Sequence, residues 1–157
     1  MKYLFIITMM LSSESHSQTS CNVLDVVGIH LSDQFLFVQE QGKRCFYSVE
    51  DESLMLVSSF GERQVSDVEL NEVTSSIIVQ MNSRLSNFEL LGDGLNSFYY
   101  NGLRFVFGRC SFKNQGYLIE SYVYFTSFDG QLLMLNFSYP FQNEAKCRKL
   151  IEPLFGL

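Results

Sequence analysis

The second half of the chain consists of long β-rich runs joined by very short turns, and this pattern limits the fold most strongly. The dipeptides Asn101-Gly102 and Asp129-Gly130 each separate two runs rich in β-branched and aromatic residues. Such dipeptides favour the turns of two-residue β-hairpins. Runs at 103–112, 117–127 and 131–139 are therefore predicted to pair antiparallel in chain order.

Shorter runs of the same kind lie on either side of a central polar region. Before the first hairpin turn, 88–91 and 97–100 are predicted strands that are separated by Gly92-Asp93-Gly94. In the first half, predicted strands cover 26–40 with a polar break at 32–34, then 45–47 and 54–57. Polar turns are predicted at 41–43 and 50–52.

Two segments have the periodicity of amphipathic helices. Ser66 stands three residues before Glu69, the spacing of a capping box. Apolar residues then recur every three or four positions, at Leu70, Val73, Ile77, Met81 and Leu85. A second apolar stripe closes the chain, at Cys147, Leu150, Ile151, Leu154 and Phe155. Pro153 is predicted to end regular helix near Ile151.

The predicted order is β-β-β-α-β-β-β-β-α. An antiparallel sheet with two one-sidedly apolar helices packed on it is an α+β sandwich. Residues 18–157 are about the length of one domain.

The first seventeen residues predict export. Lys2 precedes an apolar run from Tyr3 to Leu11, and the segment ends in Ser15-His16-Ser17. This is the pattern of a secretory signal peptide, with cleavage expected after Ser17. Lipid attachment at Cys21 ranks second, because the residue three positions before it is not apolar. We expect a periplasmic or extracellular protein, with no later stretch long enough to span a membrane.

Charge excludes some partners. The net charge is −6, and removal of residues 1–17 leaves it unchanged because one Lys and one Glu are lost. An acidic chain without a basic stripe is a poor binder of nucleic acid and of anionic lipid. We expect no nucleic-acid partner.

Four cysteines remain in the exported chain, and their even number permits two disulfides. Three pairings are open, and a domain of this size also tolerates buried free thiols. The four candidates are Cys21, Cys45, Cys110 and Cys147.

The sequence contains no recognisable catalytic or metal-binding motif. His30 is the one histidine after residue 17, and it falls in a predicted strand. Zinc sites usually need several such ligands, so no metal and no cofactor are expected. Glu89, Glu120 and Asp129 are the candidates for a carboxylate pair of a small hydrolase. For Glu120, a solvent-facing strand position is the simpler interpretation.

Tyrosines concentrate in the second half, and tyrosine is enriched at binding surfaces. Alternation places Tyr122 and Tyr124 on one face of their strand, as an exposed ladder or as cross-strand pairs that stabilise the sheet. The second alternative is favoured. The candidate binding residues are Tyr99, Tyr100, Tyr122 and Tyr124.

Residues 65–155 resemble the PsbP-like superfamily. The resemblance lies in an ordered series of motifs: Phe88-Glu89-Leu90-Leu91, the Asn101-Gly102-Leu103 turn, Tyr122-x-Tyr124-Phe125, Phe128-Asp129-Gly130, Leu133-x-Leu135-x-Phe137 up to Pro140, and the closing helix to Phe155. It implies a PsbP-like sandwich that acts as a binding or assembly module and carries no shared catalytic residues. The first half departs from the family, in which a Pro-x-x-Trp-like opening is common, because this chain has no Trp.

The sequence therefore predicts an exported, non-catalytic module of the cell envelope that binds a protein or a small ligand. The alternative is a small secreted hydrolase that uses Glu120 and Asp129. A protease-inhibitor module of the cystatin type ranks last, because the inhibitory Gln-x-Val-x-Gly loop is absent.

Overall fold

Antiparallel strands form one seven-stranded sheet in the computed structural model. The structure describes residues 24, 27–41, 44–49 and 53–155, and for residues 41 and 53–64 it describes the backbone alone. The strands are β1 Leu36–Gln41, β2 Arg44–Val49, β3 Ser53–Gln64, β4 Ser86–Tyr100, β5 Leu103–Asn114, β6 Tyr117–Phe128 and β7 Gln131–Pro140. Helix α1 spans Leu70–Arg84 and helix α2 spans Glu144–Ile151. Short 3-10 turns, Phe141–Asn143 and Glu152–Phe155, flank α2.

The order of the strands across the sheet is β1-β2-β3-β7-β6-β5-β4. Strands β4 to β7 form a meander, and β3 pairs with β7. This arrangement confirms the predicted α+β class and the predicted element order.

Local turn chemistry explains the hairpins. Asn101 and Gly102 have φ of 49° and 76°, and Asp129 and Gly130 have φ of 49° and 73°. Two successive positive φ values define the type I′ turn, whose twist matches that of the flanking strands. Both hairpin predictions are confirmed.

Strand β4 is continuous and includes both of the segments that the sequence predicted as strand before the first hairpin turn, 88–91 and 97–100. The β4–β5 register shifts between Leu91 and Asn96, so that residues 92–95 lie opposite Gly108 alone. Gly92 and Gly94 have φ of 70° and 91°. The glycines therefore lie in a four-residue bulge within one strand and do not end it.

The prediction of a strand over residues 26–31 is wrong for its described part, 27–31. Val27 and Ile29 are buried, but they lie in a non-strand segment. The backbone N–H of Ile29 donates to the carbonyl of Leu24 at 2.8 Å, and the hydroxyl of Tyr100 donates to the carbonyl of Gly28 at 3.2 Å. The segment thus packs on one face of the sheet, and its apolar alternation reflects that contact.

Both helices begin and end near their predicted limits. The backbone N–H of Ser66 donates to Glu69 Oε2 at 3.0 Å and the N–H of Glu69 donates to Ser66 Oγ at 3.4 Å, which confirms the capping box. Regular helix in α2 ends at Ile151, two residues before Pro153, as predicted.

The two faces of the sheet carry separate cores, and each is named here after its helix. On the α1 face, Leu70, Val73, Ile78 and Met81 pack among sheet residues that include Val106, Val123, Phe125, Leu132 and Met134. On the α2 face, the helix, the segment after it, residue 24 and residues 27–35 cover the sheet. The buried residues of this second core include Ile29, Phe35, Phe105, Tyr124, Phe137, Tyr139, Ile151 and Phe155.

The predicted signal peptide, and the predicted turns at 42–43 and 50–52, lie outside the described residues. Within the part of the chain that is described, no helix combines the length and the apolar character that a membrane crossing would need.

Candidate functional site

A group of charged and phenolic side chains lies on the α2 face, where β5, β6 and β7 meet the start of α2. Nη2 of Arg109 donates to both carboxylate oxygens of Glu120, at 3.2 and 2.9 Å, and to Oε1 of Glu144 at 2.7 Å. The hydroxyl of Tyr139 donates to Glu120 Oε2 at 3.2 Å. We call these four residues and Tyr122 the Arg109 cluster.

Sheet register positions the cluster. Arg109 lies opposite Tyr122, and Glu120 lies opposite Ser111 on one side and Tyr139 on the other. Side chains two residues apart on a strand share a face, so these residues all point toward α2. The guanidinium carbon of Arg109 is 5.8 Å from the centre of the Tyr122 ring. Glu144, the first residue of α2, closes the cluster from above.

Glu120 is 4% exposed, so the expectation of a solvent-facing carboxylate is wrong. A buried carboxylate is tolerated only with hydrogen-bonded or charged partners. Arg109 and Tyr139 supply them. Burial of Arg109 disfavours its charged form, but the hydrogen bond to Glu120 and the nearby acidic groups outweigh this effect and raise its pKa.

Tyr139 stays protonated in this setting. Burial, followed by the charges of Tyr122 and Glu120 and the hydrogen bond to Glu120, raises the pKa of its hydroxyl above the usual value. Tyr139 therefore acts as a hydrogen-bond donor to Glu120. The hydrogen bonds of Arg109 in the cluster are all made by Nη2, while its buried Nε has no hydrogen-bond partner.

The carboxylates considered for hydrolysis are not brought together as one pair. Asp129 lies nine residues beyond Glu120, past the opposite end of β6, at an along-strand distance of about 30 Å. Glu89 is exposed and lies two strands from Glu120, with Ser111 between them. Glu144 does approach Glu120, but the same Arg109 nitrogen binds both.

The described residues contain neither a buried histidine site nor a group of side chains arranged to bind a metal ion. His30 is exposed and lies in the non-strand segment before β1, so its predicted strand position is wrong. Among the residues described, no group of three or more His, Cys, Asp or Glu side chains is placed to hold a metal ion.

The four candidate tyrosines do not form one surface. Tyr99 is 72% exposed, and by strand alternation it lies on the α1 face, opposite Arg104. Tyr100, Tyr122 and Tyr124 lie on the α2 face.

On the α2 face, exposure differs among the three tyrosines. Tyr124 is 4% exposed, and its ring stacks on Phe155 with centroids 4.4 Å apart. For Tyr124, this contact corresponds to aromatic packing that stabilises the sheet and not to an exposed tyrosine ladder. Tyr122 is half-buried and stacks on Tyr124 at 6.4 Å.

Exposed side chains adjoin the Arg109 cluster at the end of β6. Lys113 and Leu118 lie opposite each other, one row beyond Ser111 and Glu120 on the same face. Leu118 is 40% exposed, and Phe141, which follows Pro140 opposite Ile119, is 49% exposed. We call Lys113, Leu118, Phe141 and the half-buried Tyr122 the open end of the α2 face.

The cysteines divide between the two faces. Cys110 and Cys147 are buried thiols that form no disulfide, which corresponds to the thiol alternative for both. Burial, and then the charge of Glu120, raises the pKa of the Cys110 thiol to about 12. Cys45 is buried on β2, and Cys21 lies outside the described residues.

Comparison with known proteins shows the fold. No protein-family model and no curated protein sequence matches the chain. Its structure is similar to that of LpqN, described as involved in cell envelope biogenesis of Mycobacterium tuberculosis. The TM-score is 0.60 at 12% identity, over 82% of this chain and 79% of LpqN.

Cyanobacterial PsbP from Synechocystis is similarly close in structure, with a TM-score of 0.58 at 11% identity over 78% of this chain and 79% of that one. A Pseudomonas aeruginosa protein of unknown function, described as a putative regulator, has a TM-score of 0.50 at 9% identity over 74% of this chain and 92% of that one. The fold is therefore PsbP-like, as the sequence resemblance predicted.

Sequence reasoning singled out Glu120 but missed its partners Arg109, Tyr139 and Glu144. One signal was present: Arg109 interrupts a run of apolar and small residues in the middle of a long strand, as Glu120 does in the next strand. Opposite charges in neighbouring inner strands indicate a buried pair. Their register across the hairpin was needed to recognise it.

Proposed function

We propose that this chain is an exported, non-catalytic binding or assembly module of the cell envelope, which recognises a protein or a small ligand through the open end of the α2 face. The observation that carries the proposal is the exposure of Leu118 and Phe141 beside the Arg109 cluster. Exposed apolar and aromatic side chains with a charged rim are the usual composition of a recognition surface.

Tyr122 joins this surface to the cluster. Its ring is held between the guanidinium of Arg109 and the ring of Tyr124. A side chain held in this way loses little rotational freedom on binding, so contact with it is favourable. Tyr122 is thus the candidate anchor among the four tyrosines.

The state of Glu120 supports a non-catalytic role. A general acid or base must reach the proton that it transfers. Arg109 and Tyr139 already occupy the oxygens of Glu120, and its exposed fraction is 4%. The cluster is therefore better suited to holding α2 on the sheet than to hydrolysis.

The envelope location rests on the signal-peptide pattern of residues 1–17 and agrees with the fold shared with LpqN. The cysteines add a consistent detail. Cys110 and Cys147 form no disulfide, so Cys21 is the remaining cysteine that can pair with Cys45, and we propose that disulfide. Protein purified from its host should then begin at Gln18, and two thiols should become accessible to a thiol reagent when it unfolds.

The function is tested by crosslinking and pull-down of the tagged protein from the envelope fraction of its host, followed by mass spectrometry. We expect one abundant partner, whose recovery falls in the Tyr122→Ala variant. Equal recovery with Tyr122→Ala would exclude the surface proposed here. Two results would contradict the proposed class of protein. One is that the protein is absent from the envelope fraction, and the other is a hydrolytic activity that Glu120→Gln abolishes.

A further inference from the structure

Exposed charges are distributed unevenly over the described surface. Helix α2 and the open end of the α2 face carry one exposed carboxylate, Glu152, and four exposed cations: Lys113, Lys146, Arg148 and Lys149. Over the other described side chains the balance is reversed, with one exposed cation, Arg84, and eight exposed carboxylates. These are Asp33, Glu40, Asp67, Glu69, Glu72, Glu89, Asp93 and Asp129. A chain with a net charge of −6 therefore has a positive region around α2.

Two of these cations are available to a partner. Arg148 is engaged, because its Nη2 lies 3.2 Å from Glu152 Oε1. Lys113 and Lys149 form no ion pair with any residue that the structure describes. This includes Glu89, the exposed carboxylate on the neighbouring strand β4. An exposed charge without a partner attracts an incoming group of opposite sign.

Lys113 stands beside the apolar part of the open end. It lies directly opposite Leu118 across the β5–β6 pair, and Leu118 is 40% exposed. Phe141, at the end of the next strand, is 49% exposed. The open end therefore offers a positive charge and apolar contact area side by side, which fits a ligand that combines negative charge with apolar side chains.

We infer that the partner of the open end is a protein, and that it presents a segment in which Asp or Glu side chains lie next to apolar ones. This inference rests on the proposed function, because it names the chemistry of the partner at the same surface. A carboxylate of the segment pairs with Lys113, and its apolar side chains cover Leu118 and Phe141. The cations of α2 add attraction at longer range.

The charge of the rest of the chain limits how acidic this partner can be. The eight exposed carboxylates elsewhere repel a dense polyanion, and this repulsion acts over a Debye length of about 10 Å at 0.1 M salt. Double-stranded DNA carries one negative charge per roughly 1.7 Å of its axis, and an anionic membrane is likewise a dense array of charge. A few carboxylates among apolar side chains match the positive region without that repulsion.

Selection from a phage-displayed library of random peptides on the purified exported protein tests the inference. We expect the enriched peptides to combine Asp or Glu with aromatic or branched apolar residues, and to bind more weakly as salt rises. Lys113→Glu should weaken their binding at least about fivefold, because an attractive pair becomes a repulsive one.

The matched control is Arg84→Glu in the last turn of α1. It makes the same change in net charge at an exposed cation outside the positive region, and it should leave peptide binding unchanged. Circular dichroism confirms that both variants fold.

The possible outcomes separate this inference from the proposed function. Peptides that Tyr122→Ala no longer binds, but that lack an excess of Asp and Glu or bind Lys113→Glu equally well, would overturn the inference and leave the proposed surface standing. Peptides that bind Tyr122→Ala unchanged would contradict the surface itself. Failure to enrich any peptide would also overturn the inference, and binding to phosphatidylglycerol vesicles that Lys113→Glu abolishes would then assign the surface to lipid.

Discussion

Arg109 is the residue on which the α2 face depends most at the scale of single side chains. One nitrogen of its guanidinium joins Glu120 on the sheet to Glu144 on the helix, at 2.9 and 2.7 Å. The charge of Glu120 is buried, so removal of its partner leaves it without compensation. The network therefore couples the position of α2 to the sheet.

Replacing Arg109 with methionine should destabilise the fold by about 2 to 4 kcal/mol, because the carboxylate of Glu120 would stay buried and unpaired. Urea unfolding measures the loss. Arg148→Met is the matched control. Arg148 is itself exposed, and its ion pairs are an exposed one with Glu152 at 3.2 Å and a long one with half-buried Glu144 at 3.9 Å, so its loss should cost under about 1 kcal/mol. Equal losses in the two variants would show that the cluster does not hold the fold.

Buried acidic groups predict a loss of stability in alkali. Burial raises the pKa of Cys110 to about 12 from 9.0, and it raises the pKa values of Tyr124 and Tyr139 above their usual 10.0. Above pH 9 the unfolded chain therefore binds fewer protons than the folded one. Stability should fall with rising pH, by up to about 1.4 kcal/mol per pH unit for each group.

Unfolding free energies between pH 7 and 11 measure this effect. The variant Tyr124→Phe removes one of the three groups and should make the fall shallower above pH 10. A free energy that stays flat to pH 11 would mean that these side chains are open to solvent.

At the scale of elements, each turn of the meander can be read from its own residues. Asn101-Gly102 and Asp129-Gly130 adopt the positive φ values that their residue types permit most readily, so the hairpins could be predicted locally. The end of α2 at Ile151 was likewise set by Pro153 two residues later.

Two elements could not be predicted because alternation does not say what covers a segment. Val27 and Ile29 show the apolar spacing of a strand, yet they pack on the sheet face outside the ladder. The glycines of β4 looked like a strand end, but β5 continues beside them and spans the bulge. In both cases a long-range contact decided the outcome.

The α1 cap offers a test at the same scale. Ser66→Ala removes the hydroxyl that accepts from the N–H of Glu69 and bonds its carboxylate at 2.6 Å, and it should cost about 1 kcal/mol in urea unfolding. Ser76→Ala, at an exposed position within α1, should cost nothing, because alanine favours helix. A neutral Ser66→Ala would show that the box does not contribute to stability.

At the scale of the whole molecule, the two faces of the sheet differ in how completely they are covered. Helix α1 contacts β4, β5 and β6 on its face. On the other face, α2 contacts β7 and leaves Leu118 and Phe141 exposed beside the Arg109 cluster. Sequence reasoning found Tyr122 as a candidate but not this surface, because Arg109, Glu144 and Phe141 come together only across three strands and a helix.

Site-specific photocrosslinking in the native host tests the central claim most directly. A photoreactive phenylalanine analogue is placed at position 122, on the open end of the α2 face, and in a second strain at position 99, on the α1 face. The account predicts one defined crosslinked product from position 122 and none of that product from position 99. No product from position 122, or the same product from both positions, would contradict it.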